Sequence, residues 1–210
     1  MFKMNNELDF TSKALGSIIV LSGPSGVGKS TIIKKVREKM PDLRFSVSCT
    51  TRPMRTGEVQ DRDYHFLSKE EFMRRKEAGD FIESADVFAN CYGTLKSEVM
   101  SIAENGENVV LDIDVQGALQ IMEKAKNDPL LAKEVEFIFI VPPSMTELER
   151  RLRSRATDSE EQISLRLGKS AHELSFWNKY QWLIVNDDAD TAAERLYQLI
   201  LSFALAVKKR

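Results

Sequence analysis

At 210 residues, 42% of them apolar and 30% charged, the chain is long enough to bury one substantial core and falls outside disordered and collagen-like compositions. Its 30 basic and 32 acidic residues leave a formal charge of -2, which excludes a whole-molecule field drawing it to nucleic acid or membrane. The two cysteines, Cys49 and Cys91, form no C-x-x-C pair and indicate neither a zinc site nor a disulfide framework.

Residues 1–16 are polar and mixed in charge, with no apolar run of signal-peptide or membrane-spanning length, and read as a flexible leader on a cytoplasmic protein. The run at 17–22 is short, β-branched and uninterrupted, as in a strand buried on both faces of a parallel sheet. Gly23 ends it. From Lys29 to Met40, Ile32, Ile33, Val36 and Met40 recur at helical spacing until Pro41 stops the pattern. Between strand and helix, Gly23-Pro24-Ser25-Gly26-Val27-Gly28-Lys29-Ser30 fits G-x-x-x-x-G-K-[ST] in full. Glycines let backbone N–H groups turn around an anion, and the helix N-terminus adds its dipole. Lys29 then reaches the outer phosphates of a nucleoside triphosphate and Ser30 holds Mg²⁺.

A short strand at 45–48 precedes a polar loop at 49–63, long enough to suggest a functional role. Ser68 with Glu71 predicts a capping box for a helix to Ala78, stopped by Gly79. A strand at 80–87, an Asn-Cys-Tyr-Gly turn at 90–93 and a helix at 95–104 follow. A second buried strand at 108–114 ends in Asp112 and Asp114, where a carboxylate can hold Mg²⁺ directly or through water. After its helix come a third buried strand at 135–141 and a helix capped by Ser144 and Glu147 that carries Arg150 to Arg155. The next helix is expected to be capped by Thr157 and Glu160. A last strand at 182–185 and an amphipathic helix at 191–207 complete the alternation. This pattern predicts an α/β fold, a P-loop parallel sheet flanked by helices, with ligands at the carboxyl ends of the strands.

The phosphate loop alone leaves the reaction open. Asp114-Val-Gln-Gly117 fits the D-x-x-G pattern of GTPase switches, but Asn178-Lys179-Tyr180-Gln181 lacks the Asp of a guanine-reading N-K-x-D. Arg52 and Arg55, with Tyr64 and Tyr92, suit the grip of a monophosphate, although two arginines in a polar stretch also describe a solvated loop. Glu83 is an acid amid apolar neighbours.

Taken in order, several segments resemble guanylate kinases: Gly23 to Thr31, Ser46-Val-Ser48 with Thr50-Thr51-Arg52, Gly57-Glu58, 63–66, 79–83, Tyr92-Gly93-Thr94, 112–117 and 185–188. The match spans nearly all of 17–205. The resemblance implies one domain at 17–210, with a core at 17–49 and 95–210, a GMP-binding insertion at 50–94 and a small lid near 153–160. It implies transfer of the γ-phosphoryl group of ATP to GMP, with dGMP as a further acceptor. It further implies that Arg52, Arg55, Tyr64 and Tyr92 hold the GMP phosphate, while Ser48, Glu83, Thr94 and Asp114 face the guanine. The loop residues Gly23 to Ser30, together with Thr31 and Asn186, would bind ATP. Ser30 and Asp112 would stand at Mg²⁺, and Lys29, Arg151, Arg155 and Arg166 at the transferring phosphoryl group. Read without the resemblance, a solvated basic face or a nucleic-acid patch is the lesser alternative for the three arginines.

A carboxylate at 83 makes chemical sense, because guanine offers it donors at N1 and N2 and adenine does not. Met54, Thr56, Asp61 and Cys91 depart from the family pattern without removing a group assigned to chemistry, and 123–134 is longer than usual. Three alternatives remain, a GTPase switch, another nucleotide kinase and a catalytically silent protein-binding module. Such modules commonly have a degraded phosphate loop, whereas here it is complete. His65 and His172 are not cast as bases, since the acceptor phosphate is already ionised. ATP and GMP are the expected partners, with no nucleic acid and no membrane, and a homo-oligomer is left open.

Overall fold

The chain is described here by a computed structural model covering residues 15–87, 89–154, 159–203 and 205. Its first half runs β1 (Ile18–Ser22), α1 (Lys29–Lys39), β2 (Arg44–Phe45), β3 (Cys49–Thr50), β4 (His65–Phe66), α2 (Lys69–Ala78), β5 (Phe81–Val87), β6 (Asn90–Leu95) and α3 (Lys96–Glu104). The second half runs β7 (Val109–Asp112), α4 (Val115–Ala125), α5 (Pro129–Glu134), β8 (Val135–Val141), α6 (Met145–Arg153), α7 (Glu160–Leu174), β9 (Trp182–Val185) and α8 (Ala189–Phe203).

Five strands form a parallel sheet in the order β2-β7-β1-β8-β9. Successive residues of β1 point to opposite faces, so Ile19 and Leu21 enter one apolar layer and Ile18 and Val20 the other. The first layer is closed by α1 and α8 through Ile32, Val36, Leu196 and Ile200, the second by α3 and α4 through Val99, Ile102, Ala118 and Ile121. Burial on both faces explains why β1 carries no alternating polar residue. Because β1 leaves by a loop between β7 and β8, the carboxyl ends of all three strands open onto one crevice.

A second sheet, ordered β4-β3-β6-β5, combines a parallel β3–β4 pair with antiparallel β3–β6 and β5–β6 pairs. Its small core holds Phe72 stacked on Phe81, with the buried free thiols of Cys49 and Cys91. The expected turn at 90–93 is instead most of β6, and the expected helix start at Leu95 is its last residue. Turn-forming composition yields here to pairing on both sides, and a Cβ on Gly93 would meet the Glu83 carbonyl and the Phe81 ring at 3.1 Å.

The strand expected at 45–48 is shorter and shifted. β2 stops at Phe45, Ser46 donates its N–H to the Val110 carbonyl, and the Val47 N–H is taken by Glu98 Oε1 at 3.0 Å. Ser68 and Ser144 cap α2 and α6, but Glu71 and Glu147 turn forward to Arg74 and Arg75 and to Arg150 and Arg151, leaving each capping box half made. Thr157 lies outside the described residues. The reciprocal box at the start of α7 is made by Ser159 and Gln162. Asp61, at a family turn-glycine position, adopts φ 63°, and His65 Nδ1 and Gln60 Nε2 both hold its carboxylate.

Candidate functional site

The 23–30 loop leaves β1 at the carboxyl edge of the sheet and ends at Gly28, the N-cap of α1, in the left-handed region at φ 97°. A side chain there would be strained and obstructed, since its Cβ would sit 2.6 Å from Asn186 Nδ2. Asn186 is buried behind the loop, donating from Nδ2 to the Val27 carbonyl at 2.6 Å. Lys29 turns back toward the Gly23 carbonyl at 3.3 Å and lies 3.6 Å from Asp112 at the end of β7. Ser30 and Thr31 follow in the first turn of α1, both exposed, whereas Ile32 beyond them turns into the core. The helix thus begins with hydroxyls open to a ligand before its apolar face starts. Thr31 does not line the cavity that Ser30 enters, described below, so its expected contact with ATP rests on its place in this first turn.

Arg151 bonds Glu147 and reaches the Asn186 carbonyl at 3.0 Å and the Val27 carbonyl at 3.4 Å, so it stands on the phosphate loop. Arg166 is half-buried on α7. Arg155 lies outside the described residues, and α6 ends at Arg153 with Ser154 as its cap.

A cavity of about 310 Å³ brings Ser30 and Asp112 from this loop side together with Ser48 and Tyr64, the residues that lead into β3 and β4 of the second sheet. Nearby, Arg52 forms a two-pronged ion pair with Glu58, at 2.7 and 3.0 Å, and lies over the Tyr64 ring at 5.3 Å; Tyr64 in turn meets Tyr92 edge to face. Hydrogen bonds to Glu58 raise the Arg52 pKa further, while burial raises that of Tyr64. Arg55 is exposed, and it is its backbone N–H that Glu58 holds. Glu58 was not singled out for a role from the sequence. The signal was an acid six residues from Arg52, in a loop that carries three arginines.

Glu83 is 4% exposed, on β5, and accepts from the Thr94 hydroxyl of β6 at 2.7 Å. Burial, and secondarily the nearby Asp114, push its pKa up to about 7 against the influence of Thr94 and Lys124. Its other oxygen lies over Gly117, where a Cβ would approach Glu83 Oε2 to 2.5 Å. Asp114 caps α4 by accepting from the Gly117 N–H at 2.9 Å, and its second oxygen is buried without a partner among the described residues. One glycine thus stands against two carboxylates, its N–H held by Asp114 and the place of its missing Cβ taken by Glu83 Oε2.

A parallel sheet with this loop at its switch point defines a P-loop nucleotide-binding protein, and the second sheet beside it adds the buried carboxylate of Glu83. The guanylate kinase family model matches residues 16–202. The chain is 47% identical to a guanylate kinase of Cereibacter sphaeroides over 187 residues, 89% of this chain and 86% of that one. It is 46% identical over 190 residues to one of Caldanaerobacter subterraneus subsp. tengcongensis, 90% and 89% of the two chains. The crystal structure of guanylate kinase from Anaplasma phagocytophilum superimposes with a TM-score of 0.74 at 35% identity, covering 94% of this chain and 90% of that one. This chain belongs to the guanylate kinase family. Among the described residues, no helix is long and apolar enough to cross a membrane.

Proposed function

We propose that the chain transfers the γ-phosphoryl group of ATP to GMP by aligning two phosphates across the cleft between its sheets. The observation that carries this reading is the cavity shared by Ser30 and Asp112 with Ser48 and Tyr64, since donor and acceptor sides must meet for in-line transfer. On the donor side, the backbone N–H groups of Gly23 to Thr31, proline excepted, cradle the phosphates of ATP, and Lys29 leaves Asp112 to neutralise the outer oxygens. Arg151 holds the loop through the Val27 and Asn186 carbonyls. Arg166 and Arg155 complete the cationic set as the segment at 153–160 closes. Asn186 lines the adenine side.

On the acceptor side, Arg52, Arg55, Tyr64 and Tyr92 grip the GMP phosphate, with Arg52 exchanging its Glu58 partner for phosphate oxygens. Glu83 accepts from guanine N1–H and N2–H, Thr94 and Ser48 lie along the base edge, and Asp114 supplies the second carboxylate. None of these is given to the ribose, so dGMP is an expected second acceptor. Ser30 and Asp112 are the residues that would hold Mg²⁺. An ion that keeps waters and phosphate oxygens for most of its shell needs only one or two protein oxygens, which these supply. Held there, it would offset negative charge on the phosphates of ATP. The acceptor oxygen is already ionised, so the protein's task is alignment, charge stabilisation and exclusion of water.

On this reading the core comprises 17–49 and 95–210 behind a leader at 1–16, with the acceptor arm at 50–94. A cytoplasmic setting supplies both nucleotides. The test is ADP formation from ATP with Mg²⁺ and GMP, AMP, CMP, UMP or no acceptor, with products identified directly. GDP formation with GMP, abolished by chelator, is expected. A folded, ATP-binding sample that transfers to no acceptor would overturn the proposal in favour of a binding module.

A further inference from the structure

β5 is the outer strand of the second sheet, so among the described residues one edge of its backbone has no strand beside it. Exposed edges leave N–H and C=O groups unpaired and free to slip. Here α4 supplies the missing partner with side chains. Gln120 accepts from the Ser84 N–H at 3.1 Å and donates to the Ser84 carbonyl at 2.7 Å, so its amide pairs as a neighbouring residue in a ladder would. One turn further along, Lys124 donates to the carbonyls of Phe81 at 3.1 Å and Ile82 at 2.7 Å. The β5–β6 register breaks between Phe81 and Glu83. Such irregularities bend a strand and re-aim its side chains, often beside active sites.

The residue enclosed by these four hydrogen bonds is Glu83. Gly117, on the same helix three and seven residues before Gln120 and Lys124, lies under its carboxylate, and Asp114 begins that helix. A single rigid element therefore carries one acidic group at its cap and grips the backbone on both sides of the other. We propose that Gln120 and Lys124 are positioning residues for acceptor-base recognition, fixing the bent segment 81–84 to α4 so that Glu83 and Asp114 keep one separation and orientation. The inference rests on the reading of Glu83 as the guanine acceptor. It assigns base discrimination to side chains that touch no substrate.

Lys124 has a second, electrostatic effect. The charged groups facing Glu83 are Asp114 and Lys124, both from α4, while Thr94 of β6 faces it as a hydrogen-bond donor. Lys124 itself faces Glu83 and Lys96. Removing the ammonium leaves Asp114 unopposed, so Glu83 takes up its proton at higher pH and accepts from guanine less well near neutrality.

The experiment measures kcat and KM for GMP, AMP and ATP in Gln120→Ala, Gln120→Glu, Lys124→Met and Lys124→Arg, with Glu83→Gln in parallel, from pH 6.5 to 8.5. Gln120→Ala and Lys124→Met should each raise the GMP KM about 10-fold, as loss of well-made hydrogen bonds implies, with the ATP KM within 2-fold of the unmodified protein. For Lys124→Met the ratio of variant to parent GMP KM should grow as pH falls, whereas for Gln120→Ala it should stay flat. Lys124→Arg, which keeps charge and donors, should recover most of the loss. Gln120→Glu keeps the acceptor for the Ser84 N–H, loses the donor to its carbonyl, and should lie between parent and Ala.

Unchanged GMP KM in the folded Gln120→Ala and Lys124→Met variants would overturn the positioning role, as would equal rises in the KM values for both nucleotides. If Glu83→Gln also leaves the GMP-over-AMP preference intact, the base reading itself has failed. If Glu83→Gln loses that preference while the α4 variants do not, only the positioning inference falls.

Discussion

The phosphate loop and the base pocket recognise parts of two nucleotides by opposite means. The loop is one unbroken stretch, and its chemistry is mostly backbone: N–H groups arranged by glycines, with Gly28 in a conformation and a space that admit no side chain. The pocket is assembled from β5, β6 and α4, and its chemistry is side chain, with Glu83 held in a buried place that disfavours its charge. A backbone cradle grips any polyphosphate, whichever base it carries. A buried carboxylate tells bases apart because a wrong base leaves it unpaired.

The comparison is broken most forcefully at Lys29, the one side chain on which the loop's electrostatics concentrate. Lys29→Ala should lower kcat by about 10³-fold, in line with the loss of a group that stabilises transition-state charge, with the GMP KM little changed and the circular dichroism spectrum intact. The Lys29–Asp112 contact is partly exposed, so its loss should weigh little on stability. Near-normal turnover in the folded variant would remove Lys29 from the mechanism.

The same contrast governs what could be read from the chain. The loop, the buried strands and their order of alternation were legible because local pattern and final environment agree: β1 is apolar from Ile18 to Leu21 and buried throughout. The family followed from several short segments in register. What escaped was set by contacts distant in sequence. β6 reads as a turn and is a strand because β3 and β5 flank it. The end of β2 is fixed by Glu98, more than fifty residues on. Gln120 and Lys124 drew no reading from the sequence, since they are polar residues on the helix that buries Ala118 and Ile121. Only the edge of β5 gives them a purpose.

Gly117→Ala perturbs the pocket without touching a group that bonds substrate. In an ordinary helix interior the exchange stabilises by up to about 1 kcal/mol. Here the new methyl would come to 2.5 Å of Glu83 Oε2 and would displace a buried carboxylate with little room to move. We expect the GMP KM to rise about 10-fold while the ATP KM stays within 2-fold, because a small misplacement of a binding group is costly. An unchanged GMP KM would mean that the glycine serves packing alone. An equal rise for ATP would show the damage reaching the loop through α4.

The smallest expected effect concerns stability and exposes the cost of reading a base with a buried charge. Glu83 titrates at about 7 in the fold against an ordinary 4.5, so between those values the folded chain binds more protons than the unfolded chain. Stability contributed by the protonated form is present below 4.5, declines as pH rises toward 7 and is gone above it. A shift of this size sets an upper bound on the order of 3 kcal/mol. Glu83→Gln keeps an acceptor for the Thr94 hydroxyl and cannot ionise. Relative to the parent, it should therefore gain about 1 kcal/mol at pH 8 and nothing at pH 4, while losing preference for GMP. Denaturant unfolding of both proteins at the two pH values measures the difference. A variant no more stable at pH 8 than at pH 4, relative to the parent, would mean that Glu83 ionises in the fold without penalty. Its discrimination would then owe nothing to burial, and the contrast between a pocket that stores electrostatic cost and a loop that does not would disappear.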